Sequence, residues 1–512
     1  MMILRLALVA AVCPGALLAA DPRFADMSLT LTGAHTYDGN WEYYVGGGTA
    51  VFDCNGDTRP DIFAAGGENP AALWVNQINP DGWAFTPADI EPMTGVTGAY
   101  PLDVDNDGLL DLMLLRVGEN RLLRSLGDCK FTDFDASLGF TTDDRWSTAF
   151  SATWEGTNPL PTLAIGNYVD RSDPTGPFEA CDENQLYRPN GKTYPPALSL
   201  TPGYCALSML FSDWQRSGQA DLRISNDRHY YVRGGSEQMW DMETLRPLGE
   251  ADGWDPISIW GMGIASQDIT GDQRPDIVLT SMGDQLMQIT TPDGYKAAPF
   301  SIGTYAHRPF IGDDGRPSTG WHAQFADVDN DGLSDLFIAK GNVDQMPGNA
   351  MKDPNNLLIQ NQDGTFRETA DIAGIASTHR ARGAALADFD RDGRLDLVVV
   401  NRRAPIELHR NITADTGNWV GVTLHQPTAN RFAIGSWIEL RAPDGTITVQ
   451  ELTVGGGHAG GQHGPAHFGL GASESAELRV IWPDGTTSDW TNIPTNQYLN
   501  VTRDAATSLT IN

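Results

Sequence analysis

Along the first four-fifths of the chain, apolar runs of strand length alternate with turns rich in acid and glycine, and none of the runs keeps a helical period for long. Residues 321–326 and 336–339 are such runs, and between them lies Asp327-Val-Asp329-Asn-Asp331-Gly332-Leu-Ser-Asp335. The pattern recurs. A small-residue, glycine-rich run precedes each turn (46–52, 261–267, 382–387) and an apolar run follows it (112–115, 397–400). The turns begin near residues 53, 103, 153, 213, 268, 327 and 388, a period of about 50–60 residues with room for four short strands. Four-stranded sheets repeated around an axis make a propeller, with the small-residue strands crowding the centre. The expectation is therefore an all-β, seven-bladed β-propeller over residues 21–416. From about residue 417 the pattern changes to plain alternation (419–424, 437–441, 448–453, 477–482) with Pro-Asp-Gly turns, which predicts a separate small β-sandwich-like domain to residue 512.

The turns carry the candidate chemistry. Carboxylates at relative positions 1, 3, 5 and 9 repel one another unless a cation sits among them, and hard oxygen ligands at that spacing suit Ca²⁺. Three turns have the full set: Asp103, Asp105, Asp107 and Asp111; Asp327, Asp329, Asp331 and Asp335; Asp388, Asp390, Asp392 and Asp396. Two more keep most of it: Asp53, Asn55, Asp57 and Asp61; Asp268, Thr270, Asp272 and Asp276. These five turns are the predicted Ca²⁺ sites, structural in role, because binding free energy at such a turn becomes folding free energy. The turn at 213 keeps only Asp213 and Asp221, and the one near 153 has almost no ligands, so neither is assigned an ion. His458, His463 and His467 cluster in a glycine-rich stretch and invite a transition metal, but packed histidines in a loop are the preferred reading. Trp321-His322 reads as core. No catalytic residue and no organic cofactor is assigned, since no nucleophile elbow, zinc-protease helix or phosphate loop is present.

A net charge of −32 argues against nucleic-acid partners and anionic membrane surfaces. Residues 1–20, with an early Arg5, an apolar run and small residues before Asp21, read as a signal peptide, and no later stretch is long enough for a membrane-spanning helix. The protein is expected to be secreted or periplasmic. Cys54, Cys129, Cys181 and Cys205 then remain, an even number in an exported chain, and three pairings are open. The favoured one joins Cys181 to Cys205 across an irregular insertion at 170–204 and leaves Cys54 with Cys129. A polar loop at 305–320 is a second departure from the repeat. Residues 27–32 alternate without a turn of their own and are the expected ring-closing strand.

The repeats resemble FG-GAP/VCBS units, as in integrin α-chain propellers. In the tail, residues 430–436, Gly455-Gly-Gly-His458, His467-Phe-Gly-Leu-Gly471 and Val480-Ile-Trp-Pro-Asp-Gly485 resemble the ASPIC/UnbV domain. A propeller followed by that domain is the layout of the cartilage acidic protein family and its bacterial-type members. The resemblance implies Ca²⁺ at the acid-rich turns and an extracellular or periplasmic place, without an agreed reaction. The expected function is a binding or adhesion module for a glycan or extracellular protein. The alternative is a secreted polysaccharide lyase or hydrolase on a Ca²⁺-stabilised propeller.

Overall fold

The computed structural model describes residues 21–173, 180–227, 235–283, 285–305, 315–504 and 507–512. The proposed signal peptide lies outside the described residues, as does most of the 305–320 loop.

The chain is all-β, and one antiparallel four-strand meander recurs. It comprises Thr49–Phe52, Asp61–Ala64, Ala72–Asn76 and Phe85–Pro87, then Val96–Leu102, Asp111–Gly118, Arg121–Ser125 and Phe131–Asp133. Next come Arg145–Thr153, Thr162–Asn167, Asn184–Tyr187 and Leu198–Leu200, then Ala206–Ser212, Asp221–Asn226, Gln238–Asp241 and Arg246–Pro247. Gly261–Gln267, Asp276–Ser281, Leu286–Thr291 and Gly294–Ala297 follow, then Gly320–Ala326, Asp335–Lys340, Asn356–Gln360 and Phe366–Glu368. The last meander, Arg380–Ala387, Asp396–Arg402 and Glu407–Asn411, takes its fourth strand from the start of the chain, Phe24–Asp26.

Two expectations are corrected. The closing strand is Phe24–Asp26, paired with Asn411, Arg410 and His409, and not residues 27–32. Asp26 Oδ1 accepts the Ser28 N–H at 2.9 Å and turns the chain into a single 3₁₀ turn, Ser28–Thr30, which ends the pairing. The supposed insertion at 170–204 contains the third and fourth strands of its meander, Asn184–Tyr187 and Leu198–Leu200. Its proline and tyrosine content masked their short alternation. Both disulfides form as favoured, Cys54–Cys129 and Cys181–Cys205.

The first strand of each meander packs on the first strand of the next, and Arg380–Ala387 packs on Thr49–Phe52, so the series returns on itself. Neighbours are also pinned by side chains. Asn76, Asn411 and Gln360 each donate an amide hydrogen bond into the acid turn of the preceding meander, to the carbonyls of Phe389, Val328 and Ile269 at 2.8–2.9 Å. The Asn76 bond joins the first meander to the last.

After Asn418 two more four-strand sheets form, and side chains from both, among them Val420, Ile438, Leu478 and Val480, share one apolar cluster. Between Ile447–Glu451 and Ala466–Gly471 the chain leaves these sheets and runs down among the innermost strands of the meanders. There its backbone bonds to five of them. The Ala152 and Ala99 N–H groups donate to the Val454 and Ala459 carbonyls, Gly456 N–H donates to Met209, Gly457 exchanges two bonds with Ile264, and residues 461–462 pair in parallel with Ala50 and Val51. An innermost strand has a free edge whose N–H and C=O groups are costly to bury unpaired. This axial strap pairs them.

His458 sits at its deepest point, fully buried. Its Nε2 accepts the Gly46 N–H at 3.2 Å, its Nδ1 faces the Met262 carbonyl at 3.4 Å, and its own N–H donates to His322 Nδ1 at 3.2 Å. Burial pushes the imidazole down to about 3, so it is a neutral wedge. The strap comes so close that a Cβ on Gly48 would lie 1.7 Å from the Ala459 carbonyl oxygen. Gly48→Ala is therefore expected to cost about 2–3 kcal/mol, the overpacking range, read by chemical denaturation, and to expose residues 452–465 to limited proteolysis.

Candidate metal centres

Every acid turn lies between the first and second strands of its meander and is built the same way. The position-1 aspartate accepts backbone N–H groups from inside its own turn. Asp327 Oδ1 takes Asp331 at 3.1 Å and Oδ2 takes Gly332 at 2.8 Å, and Asp103 and Asp388 do the same with Asp107 and Gly108, and Asp392 and Gly393. Asp53 and Asp268 accept the equivalent bonds from Thr58 and Gln273. The position-9 aspartate clips the turn to the sheet. Asp335 accepts from Val328 within the turn and from Gln360 on the third strand, both at 3.0 Å, and Asp61, Asp111, Asp276 and Asp396 repeat this pair of bonds. The turn needs left-handed backbone at positions 4 and 6, supplied as Asn330 and Gly332 in one turn but as Gly271 and Gln273 in another.

Three turns gather carboxylates into triads, one oxygen from each acid lying within 4.8 Å of one from each of the others: Asp103, Asp105 and Asp111; Asp327, Asp329 and Asp335; Asp388, Asp390 and Asp396. Asp107, Asp331 and Asp392 stand outside the triads, each accepting a hydrogen bond from the backbone two residues on. Among the described residues, the turns at 53 and 268 form no carboxylate triad; Asp61 faces the Cys54–Cys129 disulfide, while Asn55 bonds Asp57, and Thr270 bonds Asp268.

The triads fit a hard cation. Burial first, and the neighbouring carboxylates next, hold Asp327 and Asp335 well above the carboxylate range, and the same causes act on Asp396. Burial pushes Asp111 up to about 8 and Asp388 to about 7. Asp329 Oδ2 and Asp390 Oδ1 are buried without a hydrogen-bond partner. A Ca²⁺ ion would supply the missing positive charge and oxygen coordination there.

Arginines distinguish the three, and nothing in the spacing announced them. Arg124 reaches Asp105 at 2.8 Å and Asp107 at 3.0 Å, and Arg410 reaches Asp390 at 2.8 Å while Arg394 pairs with Asp392. At the 327 turn, among the described residues, Arg367 acts on Asp329 and Asp331 from a distance and pairs with neither. The two eroded turns use protein groups throughout. Asp213 keeps its bonds to the Ser217 and Gly218 N–H groups, Trp214 donates to Asp221 at 2.8 Å, and Glu155 pairs with Arg188 at 2.7 Å.

The acid turns also form the seat of the C-terminal sheets. Gly417 and Gly471 N–H donate to the Asp329 and Asn330 carbonyls, and His467 Nε2 meets Asn330 Oδ1 at 2.7 Å. At Gly469 a Cβ would lie 1.9 Å from Asp327 Oδ2. Tyr498 donates its hydroxyl to Asp388, Arg431 donates to the Asn106 carbonyl at 3.0 Å, and Arg216 pairs with Glu439 at 2.5 Å. Glu451 accepts from Ser212 and Asp213. His463 is half-buried against Phe432, 4.5 Å between ring centroids. The histidines thus sit apart, His458 at the axis, His463 against Phe432 and His467 on the 327 turn.

Against known proteins, the FG-GAP-like repeat family matches residues 53–114 and 327–399, and the ASPIC and UnbV family matches residues 426–508. Cartilage acidic protein 1 of Homo sapiens is 26% identical over 163 residues, 31% of this chain and 24% of the relative. That of Xenopus tropicalis is 24% identical over 248 residues, 47% of this chain and 36% of the relative. The chain spans between a quarter and about a third of the length of these relatives. Among solved structures, BBS1N in complex with ARL6DN aligns with a TM-score of 0.46 at 10% identity, covering 77% of this chain and 98% of that one. The extracellular domain of the putative hybrid two component system BT4673 from B. thetaiotaomicron aligns with a TM-score of 0.41 at 8% identity, covering 92% and 58%. The chain carries FG-GAP repeats and an ASPIC/UnbV domain and is distantly similar to cartilage acidic protein 1.

Calorimetric titration with Ca²⁺ is expected to fill the 327 turn first, and Asp329→Asn to abolish that first phase. Arg124→Met is expected to tighten the 103 turn about ten-fold, a change of ~1.4 kcal/mol, by freeing Asp105 and Asp107; unchanged or weaker binding would show that the guanidinium does not compete.

Glu451 gives a pH signature. Burial pushes it up to about 8 from an ordinary 4.5. Between those values the folded chain keeps a proton that the unfolded chain has released, so stability falls as pH rises through that window. The melting temperature is expected to drop between pH 5 and 8 by more in the wild type than in Glu451→Gln.

Proposed function

We propose that this chain is an exported, Ca²⁺-stabilised binding module: a seven-bladed propeller over residues 21–416, with about five structural Ca²⁺ sites, capped by the β-domain of residues 417–512. The carrying observation is that the acid turns are spent on architecture. Their carboxylates are engaged by the turn's own backbone, and the turns at 103, 327 and 388 are in contact with the C-terminal sheets. A coordinatively complete ion in such a place leaves no open position for Lewis-acid chemistry. Five sites rather than three follow if the 53 and 268 turns, whose backbone bonding matches the others, close around an ion when it binds. Two disulfides support an oxidising compartment outside the cytoplasm. Among the described residues no helix is long and apolar enough to cross a membrane.

The partner-binding surface belongs at the opposite end, where the second strands turn into the third. Trp41, packed edge-on against Trp146, and Tyr44, under the Arg402 guanidinium, lie there beside the exposed Arg403. Aromatic faces with arginine neighbours suit either a glycan or a protein partner, since Trp, Tyr and Arg dominate binding energy at interfaces. The test is a panel of immobilised polysaccharides and extracellular-matrix proteins, run with the chain from Asp21 onward in Ca²⁺ and in EDTA, scoring retention and released products together. Retention in Ca²⁺ that falls at least ten-fold in Trp41→Ala is expected. New oligosaccharide ends would replace this reading with the polysaccharide-degrading one.

A further inference from the structure

Where the axial strap leaves the C-terminal sheets it does not fill the space beneath them. A cavity of about 270 Å³ remains between the strap, the innermost strands and the sheet that carries Val422 and Leu424. Its charged lining groups already have partners. Asp388 accepts the Tyr498 hydroxyl and the Gly393 N–H. Arg391 donates to the Thr58 carbonyl at 2.7 Å and lies 4.0 Å over the Tyr498 ring. Glu451 holds Ser212 and Asp213.

What is left unpaired on the walls is neutral. Buried His322 Nε2, Gln450 Oε1 and His467 Nδ1 make no hydrogen bond of good geometry, the Gln324 side chain being the one polar neighbour of the His322 ring on that wall. The partners of the other ring nitrogens fix what each atom offers. His322 Nδ1 accepts the His458 N–H, so His322 Nε2 carries the hydrogen and donates. His467 Nε2 faces Asn330 Oδ1, an acceptor, so His467 Nδ1 is a free acceptor. Gln450 Oε1 is a second acceptor. Phe325 and Phe432 add apolar faces to the same walls. One donor, two acceptors and aromatic surface without a free charge match a molecule whose polar groups both donate and accept and whose carbon skeleton has an apolar face.

We propose that this chamber is a binding site for a small, uncharged, polyhydroxylated ligand of mono- to disaccharide size, distinct from the partner surface at the open end. A single water needs only about 10–15 Å³ of such space, so the chamber is many waters large, and hydroxyls in place of those waters keep the three polar atoms satisfied while the ring face covers Phe432.

The test uses the full mature chain with Ca²⁺ and isothermal titration calorimetry. The probes are glucose, N-acetylglucosamine and cellobiose, with glucuronate and glucosamine as charged counterparts. At least one neutral probe is expected to bind, and the charged counterparts at least ten-fold more weakly. Gln450→Leu, which keeps the volume and removes an acceptor, should weaken binding about ten-fold, the size of one lost hydrogen bond. Gln462→Trp, at an exposed position of the strap that lines the chamber, should block it while melting and Ca²⁺ binding stay as in the wild type. Binding of none of the three neutral probes, equal binding of the charged ones, or binding that survives both variants would overturn the proposal. Polymer retention unaffected by Gln462→Trp bears on the open-end surface alone and leaves the two sites separable.

Discussion

The constraint on which the rest of the structure depends is the unpaired inner edge. A ring of meanders brings together first strands whose outer edges are paired and whose inner edges face the axis. Bare backbone N–H and C=O groups in a narrow space must find partners or remain hydrated. Here the solution comes from the other end of the chain. The strap offers carbonyls to Ala99 and Ala152, N–H groups to Val51 and Met209, and both to Ile264. Only a segment as bare as Gly455-Gly456-Gly457 can pass so close to the strands of Met209 and Ile264, and Val454, Ala459 and residues 461–463 reach the other three. The C-terminal sheets are therefore not an appendage tethered by a linker, because their longest excursion is built into the axis of the repeats.

The acid turns answer a second demand, that of charge. Six of them share the position-1 bonding pattern, including the one at 213, which lacks the carboxylates at positions 3 and 5. The fold of the turn is thus set by one aspartate and by left-handed backbone, and the further acids are there for something else. Where they accumulate with no arginine paired to them, as at 327, they are buried and mutually repelling. Where ligands are missing, protein cations or donors appear, Arg188 beside Glu155 and the Trp214 indole beside Asp221. An ion and an arginine solve the same electrostatic problem, but only the ion makes stability depend on the medium.

Much of this was legible in residue order. The position of each turn, the small-residue strand before it and the apolar strand after it follow from period and spacing, because each is a local consequence of one loop's chemistry. The favoured disulfides are also those formed. Less legible were features decided at long range. The alternation of residues 27–32 looks like a strand, but Asp26 caps a turn there, and the pairing belongs to Phe24–Asp26. The strands at 184–187 and 198–200 were hidden by composition. Glycines 455–457 stand in a glycine-rich stretch, and nothing local says that the inner edges of two strands await them. Nor does spacing reveal that Arg124 and Arg410, each on the third strand of its own meander, reach back into the acid turns.

These two demands meet at the same surface. The turns that gather carboxylates also hold Gly417, Gly469, Gly471 and Tyr498, and the sheets they hold deliver the strap to the axis. At the 327 turn the approach of Gly469 to Asp327 leaves no space for a side chain between them. Four acids lie within nine residues there, and Asp327 and Asp335 are buried beneath that seat and repelled by Asp329. A cation bound at that turn would therefore do more than fasten one hairpin. By offsetting that repulsion it would keep the seat in register; the seat fixes where the strap descends, and the strap pairs the inner edges of meanders far from the turn. Stability in such a molecule is not the sum of independent repeats, as in an open solenoid, because the closing element arrives through a seat that the repeats themselves must first assemble.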